Sequence, residues 1–192
     1  MADLMNTRKI RIHEHIGMTS LHEEYDLCDA ENHIRLGTAK EEVSLGQKVG
    51  KFFLDRSMLG IRMEVRNSGG NVAMTIEREG CSWRNAINVK DSEGKLICRM
   101  HPTCLSMGAR IEVTDAAGSS LGRISGGCYG SLYQFTGLGG ELIGKIEHLS
   151  RGIMTDLFTS ADDYLVEIVG SESRVPMVLA GALCVDLVYH EA

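Results

Sequence analysis

The sequence is short of proline, of basic clusters and of long apolar runs, and each shortage excludes something. Two prolines in 192 residues rule out a proline-rich linker or a low-complexity, disordered chain. The net charge is −6, with no Lys/Arg stripe of the kind that nucleic acid or an anionic membrane surface attracts, so nucleic acid is not an expected partner. The densest basic stretch, Arg8–Lys9–Ile10–Arg11, reads as a solvated strand face. No P-loop, nucleophile elbow, HExxH or dinucleotide fingerprint occurs, so the chain reads as non-enzymatic. None of the six cysteines (Cys28, Cys81, Cys98, Cys104, Cys128, Cys184) has CxxC spacing. His101, Cys104 and Cys128 lack the second close pair that a zinc site requires. The first 15 residues have no apolar h-region, so no secretory signal is read. The expected compartment is the cytoplasm, with the thiols reduced and packed as small apolar side chains.

What is present is glycine, 22 residues of it, and a repeat. Four segments align: MEVRNSGGNVAMTIER from Met63, INVKDSEGKLICRMHP from Ile87, IEVTDAAGSSLGRISG from Ile111 and YQFTGLGGELIGKIEH from Tyr133. Each is a short alternating run, a four-residue turn and a second alternating run. The turns start at Asn67, Asp91, Asp115 and Gly137, steps of 24, 24 and 22 residues. A degenerate earlier copy starts at Tyr25, with the turn Asp29-Ala30-Glu31-Asn32. Asp or Asn in the first position accepts a hydrogen bond from the backbone two residues on, and Gly in the fourth takes a positive φ without a Cβ clash. At Asn32 the expectation is that Asn substitutes for Gly in the left-handed region. Period-two alternation on both flanks is the mark of half-buried antiparallel strands. Further strands are expected at Lys9–Ile16, Lys51–Asp55 and Asp163–Val169. The total is about a dozen, too many for one open sheet, so closure into a barrel or two packed sheets follows.

The C-terminal segment Met177–Tyr189 is apolar on every helical face except at Asp186, and Pro176 suits the first turn. A helix apolar all round is enclosed, by protein or by lipid. Thirteen residues reach about 20 Å, short of the roughly 30 Å of hydrocarbon in a bilayer, and Asp186 would sit inside it at a cost of a few kcal/mol. The segment therefore reads as a buried core helix, in which Asp186 requires a buried polar partner or a place near an open end of the barrel.

The order IEREGCSWRNAINVKDSEGKLICRMHPTC, RIEVTDAAGSSLGRISG, GELIGKIEHLSRGIMTDLFTSADDYLVEI and VPMVLAGALCVDLVYHE resembles the phospholipid scramblase family, within a wider group that includes LURP-one-related and Tubby C-terminal-like proteins. The resemblance spans residues 8–191 as a single domain, leaving 1–7 as a tail. It implies a twelve-stranded antiparallel β-barrel threaded by the C-terminal helix. It also implies peripheral association with membrane phospholipid, with transbilayer lipid movement that calcium stimulates in animal members. The LURP-one-like and Tubby-like relatives imply the alternative of a non-enzymatic binding or scaffold module with a protein partner. The region matching the family's palmitoylated cysteine cluster, His101–Gly108, holds only Cys104, so no lipid anchor is expected. The family's calcium segment falls on residues 160–171, where Asp162 and Asp163 are the candidate calcium ligands. Against the ligand spacing of a twelve-residue calcium loop, only Asp162 lies where a carboxylate is needed. The competing reading makes Asp162 and Asp163 the end of a loop, and Tyr164, Val166 and Ile168 one face of a strand. His13 and His15, at i and i+2, share a strand face and are a candidate metal pair or simply solvent-facing. No lipid-binding residue is assignable.

Overall fold

A computed structural model describes residues 3–15, 23–42, 60–80, 85–105, 108–127, 131–149 and 162–190. Twelve strands follow one another in the chain: β1 (Lys9–Glu14), β2 (Glu24–Asp29), β3 (Arg35–Glu41), β4 (Ile61–Asn67), β5 (Val72–Arg78), β6 (Ile87–Asp91), β7 (Leu96–Leu105), β8 (Gly108–Thr114), β9 (Ser120–Gly126), β10 (Leu132–Thr136), β11 (Leu142–His148) and β12 (Asp163–Ile168). Each pairs antiparallel with its sequence neighbours, and β1 pairs with β12 to close the barrel. Closure gives every described strand a partner on both sides over at least part of its length. One α-helix, α1 (Val175–Val185), follows β12. The expected strand at Lys51–Asp55 lies outside the described residues.

The hairpin turns are built from the repeat. Asn67 Oδ1 accepts from the amides of Gly69 and Asn71, Asp91 Oδ1 from Glu93 and Lys95, and Asp115 Oδ1 from Ala117 and Ser119. One carboxylate or amide oxygen thus holds the backbone two and four residues on. The fourth-position glycines have φ of 80° (Gly70), 81° (Gly94), 86° (Gly118) and 79° (Gly140). In the last turn Gly137 has replaced the aspartate, and Glu141 folds back to accept from the Gly139 amide. A Cβ at position 137 would lie 2.0 Å from that carboxylate, so the space an aspartate would use is filled from four residues downstream. The β2–β3 turn corrects the expectation at Asn32. The left-handed residue is His33, at φ 55°, and the His33 amide bonds the Asp29 carbonyl. That turn is one residue longer than the others, and the hydrogen bond spans i to i+4.

Alternation places Ile10, Ile12, Leu27, Met63, Val65, Ile76, Val89, Met100, Ile111, Val113, Ile124, Phe135, Ile146 and Val166 in the core, all no more than 2% exposed. The middle of the barrel is occupied by α1, whose residues from Val178 to Val185 are all buried. It packs against β6 and β7 on one side of the ring and β11 and β12 on the other. Small residues set the fit: a Cβ at Gly144 on β11 would lie 2.6 Å from Val178 Cγ1, and one at Gly181 would lie 2.5 Å from Ile124 Cδ1. The helix starts at Val175, with Pro176 in the first turn as expected, and after Val185 it widens into a π-turn over Asp186–His190. At its other end the short 3₁₀ turn Leu4–Asn6 brings buried Leu4 against the core.

Candidate functional site

The tight turns lie at one end of the barrel and the C-terminal end of α1 points to the other. At that second end the inward row of side chains changes from apolar to polar. Two steps of alternation before Val166 is Tyr164, and before Leu27 is Tyr25; both rings point inward and are at most 1% exposed. The helix delivers Asp186 between them. Tyr25 Oη donates to Asp186 Oδ2 at 2.5 Å, and Tyr164 Oη donates to Asp186 Oδ1. Asp186 is itself 1% exposed, so each carboxylate oxygen receives a hydroxyl where water does not reach. Hydrogen bonds to a charged acceptor are about twice as strong as neutral ones. Buried without them, the carboxylate would cost several kcal/mol.

The cluster extends further. Tyr25 Oη also lies 3.1 Å from Glu23 Oε2. Glu23, Glu41 at the end of β3 and Arg78 at the end of β5 are all buried, and the Arg78 charge acts on Cys184, two residues before Asp186. Burial pushes the Tyr164 phenol well above its ordinary pKa, and the adjacent Asp186 charge pushes it further; the hydroxyl stays protonated and available as a donor. Burial likewise raises the Cys98 thiol to about 12 and lifts Cys184. With Cys28 these are free thiols, neutral and apolar in behaviour.

Asp162 and Asp163 adjoin this cluster but point to opposite faces of β12. Asp162 Oδ1 lies 2.9 Å from His148 Nε2, and the Asp162 amide donates to Glu14 Oε2. Asp163, on the outer face yet almost fully covered, receives Arg11 Nη2 at 2.8 Å and His13 Nδ1 at 2.6 Å. Burial alone would raise the Asp163 carboxyl; the Arg11 and His13 hydrogen bonds and charges outweigh it and hold the group below its ordinary range. In the described part of the 160–171 segment the side chains already have partners within the chain. Its two aspartates serve separate partners, Tyr164 is committed to Asp186, and Glu167 pairs with Lys9. Ser160 and Ala161 lie outside the described residues. Among the described residues no group of three or more His, Cys, Asp or Glu is placed to hold a metal ion. His13 and His15 stack edge to face with ring centroids 5.6 Å apart, each held by its own aspartate, Asp163 and Asp26. His101 bonds Thr114, and Cys128 lies outside the described residues.

Sequence reasoning marked Asp186 and its requirement for a partner, but not the partners. The parity of Tyr25 with Leu27 and of Tyr164 with Val166 carried that signal. Glu23, Glu41 and Arg78 had none, since charged residues at inward parity read as strand ends.

The scramblase family model matches residues 24–192, from the first residue of β2 onward, and that span holds the helix, both tyrosines and the buried aspartate. The chain belongs to the scramblase family. No curated protein and no solved structure matches it. In this scramblase-family barrel, β1 lies before the matched span although it closes the sheet. No described helix is long and apolar enough to cross a membrane; α1 has 11 residues.

Two predictions follow from the buried cluster and its rim. Tyr164→Phe removes one donor from a buried charge and should lower unfolding free energy by roughly 1.5–3 kcal/mol in urea titration; Tyr164→Phe combined with Tyr25→Phe should cost more than the sum, because the two hydroxyls share one buried carboxylate. The depressed Asp163 pKa stabilises the fold above the ordinary carboxylate value, near 4, and this contribution disappears as pH falls through the lower folded value. Asp163→Asn should therefore flatten the loss of stability between about pH 5 and pH 2, read from denaturation midpoints against pH.

Proposed function

We propose that this scramblase-family protein is phospholipid-associated, contacts the bilayer from its surface, and moves lipid between leaflets only from a state in which α1 has left the barrel. Family membership supports the lipid reading. The observation that carries the rest is the enclosure of α1 with Asp186 tied to two strands. With the helix inside, its side chains and the inward side chains of the described strands form one buried cluster in the space an acyl chain would use. Helix α1 extends about 17 Å, half the thickness of a hydrocarbon core, so α1 alone does not span a bilayer even when released.

Release into water is prohibitive. Val175, Val178, Leu179, Leu183 and Val185 are each no more than 1% exposed, and burial of such a side chain contributes about 1.5–3 kcal/mol. Together they oppose release by on the order of 10 kcal/mol. Only another apolar medium offsets that, which makes a membrane the natural trigger. The same closed barrel favours a second reading, a lipid-binding or scaffold module that never opens, as in the LURP-one-like and Tubby-like relatives.

A disulfide staple separates these readings. Gly144 and Val178 approach closely enough for Gly144→Cys with Val178→Cys to bond the helix to β11. Oxidised and reduced forms would be tested for sedimentation with phosphatidylcholine/phosphatidylserine liposomes, and for dithionite bleaching of a fluorescent inner-leaflet lipid. Both forms should sediment; the reduced form should flip lipid and the oxidised form should fall to the protein-free rate. Equal flip in both forms would rule out helix release. Binding without flip in either form would establish the module, and no binding would remove the phospholipid reading.

A further inference from the structure

β1 has basic charges on its outward face and acidic ones on both neighbouring strands. Its inward residues, Ile10 and Ile12, are ordinary core. Its outward residues Lys9, Arg11 and His13 are all basic, and His15 continues the row. The strands on either side answer with acids. On β12, Glu167 stands opposite Lys9 and Asp163 opposite His13 in register. On β2, Asp26 stands opposite His13 and holds His15 at 2.7 Å. Lys9 also reaches Glu31 in the following turn at 3.4 Å. On β4, by contrast, opposite charges mix within the strand: Arg62, Glu64 and Arg66 share one face, and Arg66 bonds Glu64 of its own strand at 2.5 Å. The stretch Arg8–Lys9–Ile10–Arg11 is therefore not a merely solvated face. It is half of a two-sided charge match.

β1 also precedes the span shared with the family. Without it, β2 and β12 would present two facing edges, acidic outside and apolar inside. Such a slot selects an extended segment that alternates apolar with basic side chains. Main-chain hydrogen bonds would supply affinity, and the acid rows direction and register.

We propose that the slot between β2 and β12 is a strand-docking site, and that it binds β1 of a second copy of this chain, giving a strand-exchanged dimer. β1 is the segment whose register and charges the slot already fits, and a second copy presents the identical strand. The exchanged dimer and the closed monomer have the same contacts, so their balance is set by protein concentration and by the connection between β1 and β2. This inference does not depend on the lipid reading.

The test uses two full-length variants mixed without denaturant. Lys9 and Glu167 are direct cross-strand partners, so a Lys9→Cys chain mixed with a Glu167→Cys chain forms an interchain disulfide only when β1 of the first occupies the slot of the second. Lys9→Cys mixed with Lys145→Cys measures random cross-linking, because Lys145 pairs with Glu167 from β11 and not with Lys9. The double variant Lys9→Cys/Glu167→Cys in one chain reports the closed monomer. Peptide mapping by mass spectrometry distinguishes these bonds from those of native cysteines. The expected result is a 9–167 interchain bond that accumulates several-fold above the 9–145 background and grows with protein concentration. A 9–167 yield equal to background, with the double variant closing within its own chain, would overturn the proposal. Failure of the double variant to close would overturn it too, by contradicting the register on which the slot rests.

Discussion

Asp186 brings a carboxylate to the end of a helix that is otherwise apolar on every side, and the hydroxyls of Tyr25 and Tyr164 make that position tolerable. The contact ties three distant parts of the chain together: the second strand, the last strand and the C-terminal helix. It also fixes depth. The carboxylate finds its two donors only when α1 sits at one height in the barrel, because both tyrosines are held by strand register. The π-turn that starts at Asp186 follows from the same requirement, since an extra residue per turn re-aims the side chains after the helix has reached the polar end.

The rest of the barrel is arranged around that helix. Twelve strands enclose a space that small side chains alone would leave hollow, and α1 fills it. Gly144 and Gly181 allow backbone and helix to approach within a methyl group of each other. The end of the barrel that carries the tight turns has five strand-to-strand connections, and the Asp/Asn-x-x-Gly repeat supplies three of them locally. Substituting Glu141 for the missing aspartate at position 137 shows that the turn needs an acceptor there and is indifferent to which residue provides it. Pro102 sits in β7 beyond the last β6 pair, Ile87 with Met100, where the strand pairs only with β8.

Much of this architecture is legible in the amino-acid sequence. Turn chemistry depends on residues within four positions, so the hairpins at Asn67, Asp91 and Asp115 and their glycines emerged as expected. The enclosed helix followed from the length of its apolar run. What failed was either one residue out or depended on distant partners. At Asp29 the turn accommodates an extra residue, and no local rule distinguishes Asn32 from His33 as the left-handed position. Tyr25 and Tyr164 are 139 positions apart in sequence, and their meeting at Asp186 depends on barrel closure through β1, a strand that sequence inspection read as solvated. The charge match across β1 is legible only once β2 and β12 are known to flank it.

If the helix is held inside a closed barrel by a buried, doubly bonded carboxylate, its backbone amides should be among the last to exchange with solvent. Hydrogen–deuterium exchange of residues 178–185, followed by fragment mass spectrometry of the protein free of lipid, tests this directly. Enclosure predicts protection near that of the innermost strands, exchanging only through global unfolding, and a fall of at least tenfold in Asp186→Ala. Exchange of those amides as fast as the exposed hairpin turns in the unsubstituted protein would contradict an enclosed helix, and with it the role assigned to Asp186.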